Sequence, residues 1–171
     1  YNIAIGHHAG NVISTGTLNT IIGGLAGDAL TGGASNVAVG YRALSAEDAH
    51  GQNVAVGSFA LAVQDAGTDA YNVAVGASAG AAVTTGKQNI LIGGLAGDAL
   101  TEGDYNVAVG YHALGLEDTH GYNVAVGTFA LMNQNAGSDA HNVAVGYGTG
   151  QNISTGLRNT IMGGAAGVSL T

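Results

Sequence analysis

Branched aliphatic residues occur along the chain in pairs split by one residue, as in Val37-Ala38-Val39 and Val54-Ala55-Val56, with Asn before the pair and Gly after it. Period-two alternation over three to five residues is the pattern of a short strand, in which residues i and i+2 share a face. The unit opens at Asn2, Asn19, Asn36, Asn53, Asn72, Asn89, Asn106, Asn123, Asn142 and Asn159. The separations run 17, 17, 17, 19, 17, 17, 17, 19 and 17 residues, so a 70-residue pattern overlies the shorter one. GGLAGDALT at 23–31 accordingly returns letter for letter at 93–101. Self-similarity at a fixed short period marks a repeat architecture and outranks every local signal in the chain.

A strand this short is unstable alone, but stacked copies can pair with one another. Glycines close to the end of each unit, among them Gly16, Gly33, Gly51 and Gly67, supply corners. The expected fold is therefore all-β: a repetitive parallel β-solenoid of about ten coils, each of 17 or 19 residues and each built from two extended stretches joined by corners. At about 4.8 Å per coil the rod would be on the order of 50 Å long. The alternation predicts Val37 and Val39 as the core face. Asn36, Ala38 and Gly40 then form a small, uncharged face suited to close approach of another backbone. After each closing Gly comes an Ala column (Ala9, Ala26, Ala43, Ala60), followed by a position that is Gly in two coils and Leu in the next two. The 19-residue coils, 53–71 and 123–141, carry their two extra residues late in the circuit, where a bulging loop is expected. High Gly content and β-branched strands argue against helices, except for one short turn around Leu44 to Asp48.

Composition narrows the function. Charged residues make up 8% of the chain and the formal net charge is −8. So little charge implies surface hidden against copies of the same chain. Three Lys and Arg in all give no cationic face for nucleic acid. No apolar run reaches the roughly 20 residues of a membrane span. The chain opens on Tyr1, and both ends fall inside the repeat without a polar cap. This reads as one repeat array over 1–171, a fragment of a longer fibre, with superrepeats 1–70 and 71–140 and a partial one at 141–171.

The unit N-V-A-V-G-Y-x-A-L followed by a Gly-containing turn resembles the repeats of bacteriophage tail fibres. It is also similar to the AIG-x-x-A repeats in the head of trimeric autotransporter adhesins of the YadA type. The resemblance covers essentially all 171 residues. It implies a homotrimer of parallel β-solenoids or intertwined strands, displayed on a virion or cell surface, acting as a stiff spacer or a receptor-binding surface. The coils here are longer than the compact adhesin-head coil.

Candidate chemistry is sparse. The Asn column is expected to be structural, with stacked amides that hydrogen-bond along the rod. Tyr1, Tyr71, Tyr105 and Tyr122, with His141 in register, precede the Asn and form an aromatic column that could stack on sugars of a surface glycan or simply cover one another. GGLAGDALTGG at 23–33 resembles the calcium-binding nonapeptide of RTX proteins and makes Asp28 and Asp98 the weak metal candidates of a calcium-dependent secreted solenoid. The third copy departs from it, with Val168 in place of the Asp. Glu47, Asp48 and His50 recur as Glu117, Asp118 and His120. This set suits a metal or an acid/base pair in principle, but repetition along a rod favours solvated turns. His7 and His8 are expected on opposite sides of a strand. No catalytic set, phosphate loop or cofactor motif is present, so the expectation is a non-enzymatic fibre segment without cofactors.

Overall fold

The computed structural model describes residues 1–170. Ten three-residue strands follow one another: β1 (Ile3–Ile5), β2 (Thr20–Ile22), β3 (Val37–Val39), β4 (Val54–Val56), β5 (Val73–Val75), β6 (Ile90–Ile92), β7 (Val107–Val109), β8 (Val124–Val126), β9 (Val143–Val145) and β10 (Thr160–Met162). They form a single parallel sheet in strictly sequential order. The register is that of the repeat: Val37 lies beside Val54, Ala38 beside Ala55 and Val39 beside Val56. One repeat is therefore one circuit of a β-solenoid, and Asn-to-Asn spacing is the length of a turn. Among the described residues there is no helix, either at Leu44 to Asp48 or long and apolar enough to cross a membrane. The second extended stretch expected in each coil is not a strand: the rest of every circuit is turns and bends.

The faces of the strand are the reverse of the expectation. The middle residue is fully buried, as at Ala38, Ala55, Leu91 and Ala108, whereas the flanking Val and Ile lie outside it, half-buried or exposed. The cause is the width of the coil. Beside the buried Ala column, three positions of each circuit point inward: the strand centre, the Gly/Leu position after the Ala column, and a third one three residues further on. Their volumes compensate. Where the strand centre is large, as at Ile21, the second position is Gly, and a Cβ on Gly27 would stand 3.2 Å from Ile21 Cδ1. Where the centre is Ala38 or Ala55, Leu44 or Leu61 fills the space instead. So narrow an interior has room for one strand side chain per coil, and a Val pair does not fit. The third position is Leu30, Val83, Leu100 or Ile153 in some coils, but Glu47, Gln64, Glu117 and Gln134 in others.

Close stacking also explains the small residues at the end of each strand. Gly40 has φ 136°, and a Cβ there would lie 2.5 Å from the Gly57 carbonyl oxygen of the next coil. The small face does approach another backbone, but that backbone is the chain's own next turn. The remaining corners come at a conformational cost. Among the described residues, twenty-two that are not Gly have positive φ, in three columns exemplified by Arg42, Leu44 and Gln52. Left-handed conformations of this kind cost about 1 kcal/mol each. They are held by ladders between coils, such as the Leu44 N–H donating to the Ala60 carbonyl at 3.0 Å and the Phe59 N–H to the Tyr41 carbonyl at 2.9 Å. The two long coils project exposed loops at 65–69 and 135–139, as the extra residues predict.

Two substitutions test this assignment by thermal unfolding. Ala55→Asp places an unpaired carboxylate inside the stack and is expected to cost more than about 3 kcal/mol at any protein concentration, while Val56→Asp, on the outer face, costs less in the dilute chain. Equal losses would contradict the inward position of the middle residue. Gln88→Gly removes an exposed side chain from a left-handed position with φ 57° and should raise stability by about 0.5–1 kcal/mol.

Candidate functional site

The Asn column lies inside the rod, directly before each strand. The Asn36 N–H donates to Asn19 Oδ1 at 2.8 Å, and Asn36 Nδ2 donates to the His50 carbonyl at 3.1 Å. The same pair recurs up the stack, for example from Asn89 to Asn72 Oδ1 at 2.9 Å and to the Gly103 carbonyl at 2.8 Å. Each amide thus accepts from the coil above and ties its own strand to its own returning corner. In the long coils the returning corner is displaced. Asn72 Nδ2 there meets Gln64 Oε1 at 2.6 Å as well as the Gly86 carbonyl at 2.7 Å, while Asn53 Nδ2 has no partner.

The aromatic column stands on the outside, and Tyr71, Tyr105, Tyr122 and His141 are left-handed residues that hold their side chains away from the interior. Tyr1, Tyr71, Tyr105, Tyr122 and His141 are all exposed. Tyr105 and Tyr122 stack with centroids 5.1 Å apart, and Tyr122 stacks on His141 at 4.9 Å. Tyr71 lies apart from that stack and hydrogen-bonds Gln52 Nε2 through its hydroxyl at 3.0 Å. Tyr1 stands in the first coil, away from both. A second aromatic ridge was not anticipated from the sequence: Tyr41 packs edge-on against Phe59, and Tyr111, Phe129 and Tyr147 repeat the arrangement. Its signal was in the repeat, since these aromatics occupy consecutive positions after the closing Gly. Phe59 also borders an open groove of about 620 Å³ lined by Asp28, Arg42, Ser45 and Ser78.

The acid and imidazole set departs most from expectation. Glu47 and Glu117 are not solvated: both occupy the third inward position and are fully buried. Glu47 Oε1 accepts the His50 N–H at 3.2 Å and lies 3.6 Å from His50 Nδ1. The Glu117 corner repeats this with His120 at 3.2 and 3.4 Å. Each leaves Oε2 without a partner. Burial pushes the Glu47 carboxyl up to about 7 against the pull of the His50 N–H, and Glu117 is raised for the same reason. Asp48, His50 and Asp65 join Glu47 in a cluster whose donor atoms all lie within 4.8 Å of one another, and Asp118 and His120 join Glu117 likewise. Asp28 and Asp98 belong to neither cluster. Burial raises the Asp98 carboxyl, and a nearby His112 opposes the rise. His7 and His8 lie in the turn after β1 and not in a strand, so their rings meet edge-on at 4.1 Å instead of pointing apart.

A buried carboxyl titrating near 7 makes stability depend on pH in a defined direction. The unfolded chain ionises Glu47 near the ordinary 4.5, while the folded chain holds the proton up to about 7. The folded state therefore binds more protons between these values. Its contribution is full below the unfolded value and is lost as pH rises through 7. In chelator-treated buffer the unfolding free energy should fall by on the order of 2 kcal/mol between pH 4.5 and 8. The Glu47→Gln, Glu117→Gln double variant should flatten this slope, and an unchanged slope would refute the assignment. Compared with protein-family models, curated proteins and solved structures, the chain matches none.

Proposed function

We propose that the chain is a segment of a homotrimeric surface fibre, of the phage tail-fibre or adhesin type, that acts as a rigid spacer and an attachment scaffold. One observation carries this reading. The outward Val and Ile residues of the in-register strands form an apolar column along one side of the rod, half-buried in most coils and exposed in the middle of the stack at Val75 (36%), Ile90 (41%) and Ile92 (39%). A column of that kind, on a chain with 8% charged residues, is more stable against an identical column than against water. The resemblance of the repeat supplies the number three. Continuous stacking, in which every coil is bonded to both neighbours, supplies the stiffness.

Sedimentation of the untagged chain tests the reading. The expected species has three times the 16.6 kDa chain mass. A monomer at 100 µM would end the proposal, as would a trimer that persists in a Val73→Lys, Val107→Lys variant with an unchanged circular dichroism spectrum.

A second reading, a glycan-binding module, is favoured by the Tyr105, Tyr122 and His141 stack, which presents ring faces and edges to solvent in the way sugar platforms do. On a glycan array this reading predicts binding that falls at least tenfold in the Tyr105→Ala, Tyr122→Ala variant. Binding that survives both changes removes it.

A further inference from the structure

We infer that the corner formed by Glu47, Asp48, His50 and Asp65 is a site for a divalent first-row transition cation of the zinc class, repeated in weaker form at Glu117, Asp118 and His120. Four donors of two chemical kinds converge there within 4.8 Å of one another. Donors held about 2.0–2.2 Å from a metal stand roughly 3–4.4 Å apart, so the corner needs a contraction of only a few tenths of an ångström. Asp48 and Asp65 are exposed and free to supply it.

Convergence of acids alone would not suffice, but Glu47 adds an independent observation. Its side chain is 0% exposed, and its Oε2 has no hydrogen-bond partner. His50 Nδ1, in the same corner, also lacks one. A carboxylate oxygen left bare in a closed interior is costly. A cation at the mouth of the corner would satisfy both bare atoms at once. Apart from the Glu117 coil, every other coil places an aliphatic residue or a Gln at this inward position, so the acid answers no packing need. One imidazole with carboxylates selects zinc-like ions over calcium, which takes oxygen donors.

Asp65 belongs to the protruding loop of the next coil, so a bound ion would clamp that loop to the corner beneath it. The second corner lacks this clamp, because Asn135 stands where Asp65 does, and there the His120 Nδ1 is met by Thr119 Oγ1 at 3.1 Å. The chain therefore contains its own comparison: a four-donor corner and a three-donor corner.

The test is titration of the untagged, metal-stripped chain with zinc chloride at pH 7.5, followed by calorimetry and thermal unfolding, with calcium chloride as the control. A His7→Ala, His8→Ala background excludes the adjacent imidazoles near the start of the chain. Two zinc events are expected, the tighter one raising the melting temperature by several degrees, with no response to calcium. Asp65→Asn should weaken the tighter event about tenfold, Asn135→Asp should strengthen the weaker one about tenfold, and His50→Ala with His120→Ala should abolish both. These three changes lie on exposed or half-exposed side chains and leave the interior intact. No zinc binding at 1 mM overturns the proposal. Binding undiminished by the histidine changes, or indifferent to the Asp65 and Asn135 exchanges, overturns it equally.

Discussion

Each turn of this rod must lie on the next with its backbone in register at about 4.8 Å, and most of the sequence follows from that single requirement. Backbone groups that face along the axis can be satisfied only by the neighbouring turn. Side chains that lie between turns must vanish, so Gly closes each strand. A side chain that can both donate and accept along the axis is wanted at the strand entrance. Asn meets that need: its Oδ1 receives the N–H of the next coil, as from Asn36 to Asn19, and its Nδ2 reaches back to its own coil.

The same requirement shapes the interior. With little room across a coil, bulk is shared among three inward positions. Ile21 with Gly27 and Ala38 with Leu44 are two solutions to the same volume. The four-coil superrepeat is the order in which such solutions alternate. Polar residues enter where the long coils shift the corner. Gln64 and Gln134 then accept from the Asn that follows, at 2.6 and 2.7 Å, while their own Nε2 groups stay without a partner.

The period, the parallel order and the bulging loops were legible because they depend on spacing, which repetition displays directly. Which strand face points inward was not. Alternation distinguishes two faces without ranking them, and hydropathy favours Val over Ala. The deciding fact is the narrow coil set by left-handed residues such as Arg42, Phe59 and Gln52, whose side chains give no local hint of positive φ. Burial of Glu47 was hidden for a related reason. A charged residue reads as solvated until its register is compared with Leu30, Val83 and Leu100, the buried residues that take the same place in other coils. That comparison was available in the repeat itself. The second aromatic ridge at Tyr41 and Phe59 was legible in the same way, from column position instead of from any motif.

The two long coils give the rod a graduation. Their loops, at 65–69 and 135–139, emerge from equivalent places four turns apart, about 19 Å along the axis. A partner that grasps one loop meets its twin at a set distance and in the same orientation. A bivalent grip then gains from the high effective concentration of the second loop, and a partner with any other spacing does not.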